Sequence, residues 1–77
     1  MEPAALRAIR QSLQKNVGRP VELLSSSRRK LHSRTGVLES AYGSVFTVVI
    51  SDEDGELRVS YTYADVLTQS VRVRALV

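Results

Sequence analysis

VSYTYADVLTQSVRV, at residues 59–73, combines two strand patterns with a short helical signal between them. Apolar residues recur at every second position on both sides of that signal, first as Leu57, Val59, Tyr61 and Tyr63 and then as Val71, Val73 and Ala75. Such alternation is typical of a β-strand that buries one face. Residues 64–67 are long enough only for a single 3₁₀ turn. The C-terminal part is therefore predicted to be a strand, a 3₁₀ turn and a strand.

Three further strands are predicted upstream of that stretch. A short apolar run at residues 21–24 ends at a serine loop, residues 25–27. Residues 28–42 are long enough for one strongly bent strand, and Gly36 in its middle favours the bend because it has no side chain. Residues 45–50 are β-branched and aromatic, as in a central strand, and residues 52–55 form a hairpin connection.

Residues 3–17 are predicted to form a helix that caps the sheet. Pro3 suits the first helical position, and Leu6, Ile9 and Leu13 make one narrow apolar stripe. Gly18 and Pro20 then prevent the helix from continuing.

A helix followed by five strands is the element order of an SH3-like (Sm-like) small barrel, whose closure removes most of the exposed strand edge. The fold class is therefore mainly β, in a single domain over residues 1–77. Residues 3–17 form the capping helix, and residues 20–76 form the small β-barrel with its 3₁₀ turn before the last strand. An apolar fraction of 43% in 77 residues is ordinary for one small globular domain.

The amino-acid composition limits the kinds of protein to which this chain can belong. The chain has no cysteine, which excludes disulfides and thiolate metal sites and fits a reducing compartment. The first residues do not form the long apolar run that a signal peptide needs, and no stretch approaches the roughly 18 apolar residues of a membrane span. We therefore expect a soluble, cytoplasmic protein without membrane contact.

The charge of this chain is unevenly distributed. Residues 1–34 hold eight Lys or Arg against two acidic residues, a net charge of +6, whereas residues 35–77 hold three against six, a net charge of −3. The N-terminal half would attract polyanions or acidic protein surfaces, although a merely solvated surface explains the same charges.

The basic row, which we define as Arg28, Lys30, His32 and Arg34, gives the most specific spatial expectation. These residues share one parity, so they project to one face of a strand at intervals of about 6.6–6.8 Å, similar to phosphate spacing. Leu31 and Val37 have the opposite parity and are expected to point to the core. Two interpretations are open: the row binds an acidic partner, or Glu22 and Glu39 on neighbouring strands partly neutralise it.

Other residue patterns give weaker signals. Phe46 and Tyr61 are expected in the core, while Tyr42 and Tyr63 lie at strand ends in exposed positions, which gives little support for base stacking. His32 is the only histidine, and the acidic run at residues 52–55 lacks the spacing of a calcium loop. No nucleophile, phosphate-loop or dinucleotide motif is present, so we predict a non-enzyme that uses no metal or cofactor.

Several segments resemble the Veg family of small proteins from Gram-positive bacteria. These are LRAIRQSL from Leu6, NVGR from Asn16, RRK at residues 28–30, RTGVLESAYGSVF from Arg34 and VSYTYADVLT from Val59. They are collinear over nearly the whole chain, and the last is the most specific.

The resemblance implies a small, non-enzymatic SH3-like barrel that stimulates biofilm formation by opposing a DNA-binding transcriptional repressor. Within the matched motifs, the candidates for an acidic-partner face are Arg28, Arg29, Lys30 and Arg34. Tyr63, Asp65 and Val66 are the candidates for protein recognition beside the 3₁₀ turn, although capping of that turn by Asp65 is the favoured explanation of that residue. The alternative function is direct nucleic-acid binding through the basic row, and the open strand edges of so small a domain also allow a homo-oligomer.

Overall fold

The computed structural model describes residues 3–27 and 30–76. The elements in chain order are α1 (Ala4–Gln14), β1 (Pro20–Ser27), β2 (Lys30–Tyr42), β3 (Val45–Asp52), β4 (Gly55–Thr62), α2 (Tyr63–Leu67) and β5 (Val71–Ala75). The predicted order of one helix and five strands is confirmed, and the domain is mainly β.

Helix α1 lies against the sheet through its predicted apolar stripe. Leu13 is buried, and Leu6 and Ile9 pack against the core at its edge. The side chain of Gln14 donates a hydrogen bond of 2.9 Å from Nε2 to the carbonyl oxygen of Ala41 in β2. Gly18, at a φ of +87°, ends the helical segment in the left-handed region that glycine adopts without strain.

The five strands form one antiparallel sheet in the order β4-β3-β2-β1-β5. The predicted barrel closure is wrong, because the edge strands β4 and β5 do not pair with each other within the described residues. Helix α2 follows β4 directly and contacts both edge strands, so the chain turns between them instead of pairing them. The segment predicted as a 3₁₀ turn is this α-helix, which begins one residue earlier, at Tyr63.

The core lies between one face of the sheet and the helices α1 and α2. Its fully buried side chains are Phe46, Leu38, Val21, Val48 and Val71. Alternate residues of β3 and β4 contribute to it as predicted, since Phe46 opposes Tyr61 and Val48 opposes Val59 across the strand pair. The alternation of apolar and polar residues therefore predicted correctly which face of each of these strands lies against the core.

Two features of β1 and β2 differ from a regular hairpin. The predicted loop at residues 25–27 is wrong, because the three serines continue β1 and pair with residues 30–32 of β2. Strand β2 also comes very close to β3 at Gly36, the position where the sequence predicts a bend. A Cβ atom on Gly36 would lie 2.8 Å from Cγ1 of Val48 and would also overlap the carbonyl oxygen of Val49. Glycine has no side chain, and this allows β3 to pack so close to β2 at this position.

Replacing Gly36 with valine should lower the free energy of unfolding by about 1–3 kcal/mol, because the new side chain must displace the β3 backbone. Thermal unfolding measures this directly, with a fall of roughly 4–8 °C in Tm for each kcal/mol in a domain of this size. Thr35→Val is the matched control, since Thr35 is exposed and valine keeps the size and branching of threonine. Equal Tm values for the two variants would contradict the close approach at Gly36.

Candidate partner-binding surface

The basic row lies on the core side of the sheet. Arg34 directly opposes Leu23 in β1, and the next alternate residue, Gly36, opposes Val21. Directly opposed residues of an antiparallel pair share a face, and both β1 residues are buried in the core. Arg28 and Arg29 lie outside the described residues, so the described row is Lys30, His32 and Arg34.

The predicted faces of β2 are therefore inverted over this stretch. Leu31 and Val37, which were expected in the core, are 71% and 44% exposed on the outer face. The reason is a register shift between Leu38 and Ser40. This β-bulge changes parity within the strand, so core residues fall on even positions before it and on odd positions, such as Ala41, after it.

The basic row remains exposed because the sheet divides beneath it. Strand β3 pairs with β2 only from Val37 onward, so residues 30–36 of β2 pair with β1 alone. Residues 50–52 of β3 pair with β4 alone and diverge from β2. We call this divergence the split. Lys30, His32 and Arg34 lie along one side of it, and all three are exposed to solvent.

Carboxylates on the outer face of the sheet do not neutralise the row. Oε1 of Glu22 forms an ion pair of 2.8 Å with Nη2 of Arg74. Its second oxygen, Oε2, accepts a 3.1 Å hydrogen bond from the hydroxyl of Ser33. The hydrogen bond and charge of Glu39, 3.1 Å from Nε of Arg58, raise the pKa of that arginine above its ordinary value. Neither glutamate pairs with Lys30, His32 or Arg34, so for these described members of the row the predicted neutralisation is wrong.

Both glutamates face away from the row because they lie on the opposite side of the sheet. Glu22 opposes Thr35 in the β1–β2 pair, whereas Arg34, the neighbour of Thr35, points to the core side. Within residues 3–27 and 30–76, Lys30 and Arg34 form no ion pair. Two permanent cations are thus available to a partner on this side of β2.

A cleft of about 480 Å³ occupies the split next to Arg34. It is lined by Arg34, Thr35, Ile50, Ser51, Asp52 and Leu57. Leu57 is 50% exposed at its mouth, and Asp52 uses one carboxylate oxygen to accept a 2.8 Å hydrogen bond from the backbone N–H of Asp54. The lining thus combines the guanidinium of Arg34 and the carboxylate of Asp52 with the apolar side chains of Ile50 and Leu57. Sequence reasoning missed this cleft, because no local pattern reveals where two strands diverge.

The second predicted set of residues surrounds α2. Tyr63 is only 3% exposed and stacks on Phe46, with ring centroids 6.2 Å apart, so its predicted exposure is wrong. The side chain of Val66 packs against the core. Asp65 accepts a 3.0 Å hydrogen bond from the N–H of Thr62, while the Thr62 hydroxyl accepts a 3.1 Å bond from the N–H of Asp65. This reciprocal capping box confirms the capping explanation of Asp65.

The sequence contains the signal that would have placed Tyr63 correctly. Thr62 followed three residues later by Asp65 is the capping-box spacing, which predicts a helix that begins at Tyr63. The first helical turn then directs Tyr63 from the end of β4 into the core. Asp65 and Val66 stay candidates for recognition, whereas Tyr63 is too buried to contact a partner.

The described residues hold no cluster of three or more His, Asp or Glu that could bind a metal ion. Among the same residues, neither helix has the length and apolar character needed to cross a membrane.

Replacing Asp65 with alanine should lower the free energy of unfolding by about 0.5–2 kcal/mol, because the N-terminus of α2 loses its reciprocal cap. Chemical denaturation measures the change. Asp65→Asn is the matched variant, since the amide oxygen can still accept from Thr62 while the charge is lost. A stability loss in both variants of equal size would show that charge, not the hydrogen bond, is what Asp65 contributes.

Comparison with known proteins bears on these candidate surfaces. A search of curated proteins found no match to the chain. The family model described as "Biofilm formation stimulator VEG" matches residues 4–74, from the first residue of α1 into β5. The match covers nearly the whole chain, and it confirms the resemblance carried by the segments between Leu6 and Thr68. The chain therefore belongs to the Veg family of biofilm formation stimulators.

Proposed function

We propose that this protein is a non-enzymatic, cytoplasmic regulatory protein that stimulates biofilm formation by binding a DNA-binding transcriptional repressor. In this proposal, the basic row contacts an acidic surface of the repressor and lowers its occupancy of DNA. The family description supports the biofilm role. The choice of an acidic protein partner rests on the charges of β2.

The observation that carries the proposal is the uncompensated charge of Lys30 and Arg34. Two arginines elsewhere in the sheet pair with glutamates, Arg74 with Glu22 and Arg58 with Glu39. Arg72 of β5 instead donates a hydrogen bond to the amide oxygen of Gln69. The two row cations have no such partner within the described chain. Exposed ion pairs add only about 0–1 kcal/mol each, but they accelerate encounter and fix the orientation of partners, which suits a regulator that competes for a surface.

Direct nucleic-acid binding is the alternative, and the aromatic residues argue against its single-stranded form. Stacking proteins place exposed aromatic rings beside their cations. Here Tyr42 is 75% exposed, but it lies at the opposite end of β2 from Lys30. Phe46, Tyr61 and Tyr63 are packed together in the core. This alternative is therefore reduced to contacts between the row and backbone phosphates.

Reversing the charges of the row should abolish the regulatory activity without unfolding the domain. We expect the double variant Lys30→Glu/Arg34→Glu to restore less than about a tenth of the biofilm mass in a host that lacks the wild-type gene. Each substitution removes an attraction to the acidic partner and introduces a repulsion. The losses of binding free energy at the two positions therefore add. The matched control is Arg7→Glu/Arg19→Glu, which makes the same change of net charge at exposed positions outside the row.

A gel-shift experiment separates the two functions. With purified repressor and its operator, we expect the wild-type protein to release the repressor while leaving free operator unshifted. If the protein instead shifts DNA by itself, with an affinity that falls steeply with salt and a slope near −0.9 per phosphate contacted, the nucleic-acid alternative holds. Full biofilm activity in the row variant would contradict both.

A further inference from the structure

Strand β2 presents an unpaired backbone edge to the split. Leu38 donates its N–H to the carbonyl oxygen of Arg19 at 3.1 Å and accepts a 2.7 Å bond from the N–H of Gly18, so its backbone groups point toward the β1 side. Backbone groups alternate along a strand, and the β1–β2 register is unbroken from Val37 to Lys30. The groups of even-numbered residues therefore face β1.

The odd-numbered residues Leu31, Ser33 and Thr35 direct their N–H and C=O groups the other way, into the split. Val37 has β3 as its neighbour on that side, but β3 diverges before it reaches these three residues. Within the described chain, no backbone hydrogen bond reaches them from the split side. Three donors and three acceptors thus alternate along an exposed edge, which is a template for an added strand.

The side chains beside this edge determine which strand would fit. Lys30, His32 and Arg34 line its core-side face at alternate positions, so an added strand would place its own alternate side chains directly against them. Carboxylates at those positions would form cross-strand pairs with Lys30 and Arg34. At the end of the edge, the cleft offers Ile50 and Leu57 for an apolar side chain, and Asp52 in the same lining disfavours a carboxylate there.

We propose that an extended acidic segment of the partner protein adds as a strand along residues 31–35 of β2, with alternate Asp or Glu side chains against the basic row. An apolar side chain of that segment would enter the cleft over Ile50 and Leu57. This inference rests on the proposed acidic protein partner and specifies how it binds.

Two other occupants fit the edge less well. A second copy of β2 would bring its own cations against the row, and like charges on opposed strands are destabilising. A nucleic acid can neutralise the cations, but its phosphates supply only acceptors and leave the C=O groups of Leu31, Ser33 and Thr35 without donors. Only a polypeptide backbone offers donors and acceptors in alternation.

Backbone amide exchange tests the proposal on the full chain. The probe is a short acetylated synthetic peptide that alternates Glu with Thr and Val, added at roughly 1 mM to detect weak binding. We expect the amides of Leu31, Ser33 and Thr35 to become protected from exchange, while those of Lys30, His32 and Arg34, already bonded to β1, change little. The control peptide carries Lys in place of each Glu and should not bind.

Substitution of Ser33 separates the backbone contact from the charge contact. Ser33→Pro removes an N–H that faces the split, a position where a strand tolerates proline, and should weaken peptide binding by about tenfold. Ser33→Ala loses only the side-chain bond to Glu22 and should bind as the wild type does. Arg34→Glu should weaken binding at least as much as Ser33→Pro.

The outcomes distinguish this inference from the proposed function. Absence of peptide binding, or binding without protection of the three amides, would overturn strand addition even if Ser33→Pro fails to fold. Dimerisation of the protein alone with protection of the same amides would assign the edge to a second copy and also overturn it. If repressor release depends on Lys30 and Arg34 but survives Ser33→Pro, the regulatory function stands and strand addition is wrong.

Discussion

The close approach of β3 to β2 at Gly36 is the constraint on which the rest of the structure depends. A side chain there would overlap the backbone of Val49, so the position admits only glycine without displacement of the strand. The fully buried residues Leu38, Phe46 and Val48 lie on the paired part of β2 and β3, which begins directly beyond Gly36. On the other side of Gly36 this pairing ends, so residues 30–36 of β2 and 50–52 of β3 border the split. Core and candidate surface therefore meet at this close approach.

Much of the fold could be predicted from local pattern alone. Strands β3 and β4 alternate without interruption, so their faces follow directly from parity. Gly36 marks the close approach of β2 to β3, because a glycine in mid-strand is typical of a bulge, a bend or such an approach. Strand β2 could not be assigned in this way. Its bulge beyond Leu38 inverts the parity, and nothing in the composition of Glu39 or Ser40 distinguishes a bulge from regular strand. The faces of Leu31 and Val37 were wrong for that reason.

The candidate surface was predictable in its charges but not in its geometry. The common parity of Lys30, His32 and Arg34 placed them on one face, and the structure keeps them together. A carboxylate can reach these residues only from the same face of the sheet. Because the parity of β2 is inverted, Glu22 lies on the other face and pairs with Arg74. The split arises from the divergence of strands distant in sequence, which no window of residues encodes. Conversely, Thr62 and Asp65 carried a local signal that fixes the start of α2, and that helix is what separates the edge strands.

Strand β5 pairs with β1 alone, and this pairing joins residues as distant as Val21 and Ala75. Every other strand pair links neighbours in the chain and can form early as a hairpin. The entropy of closing so long a loop must be overcome before the last pair forms, which makes it a slow step among otherwise local contacts. Until β5 pairs with β1, Val71 is absent from the core and the apolar side chains of β1 remain exposed to solvent. During synthesis the domain would thus remain incomplete until residue 75 has left the ribosome. In that period a chaperone could bind the partly folded hairpins of β1 to β4.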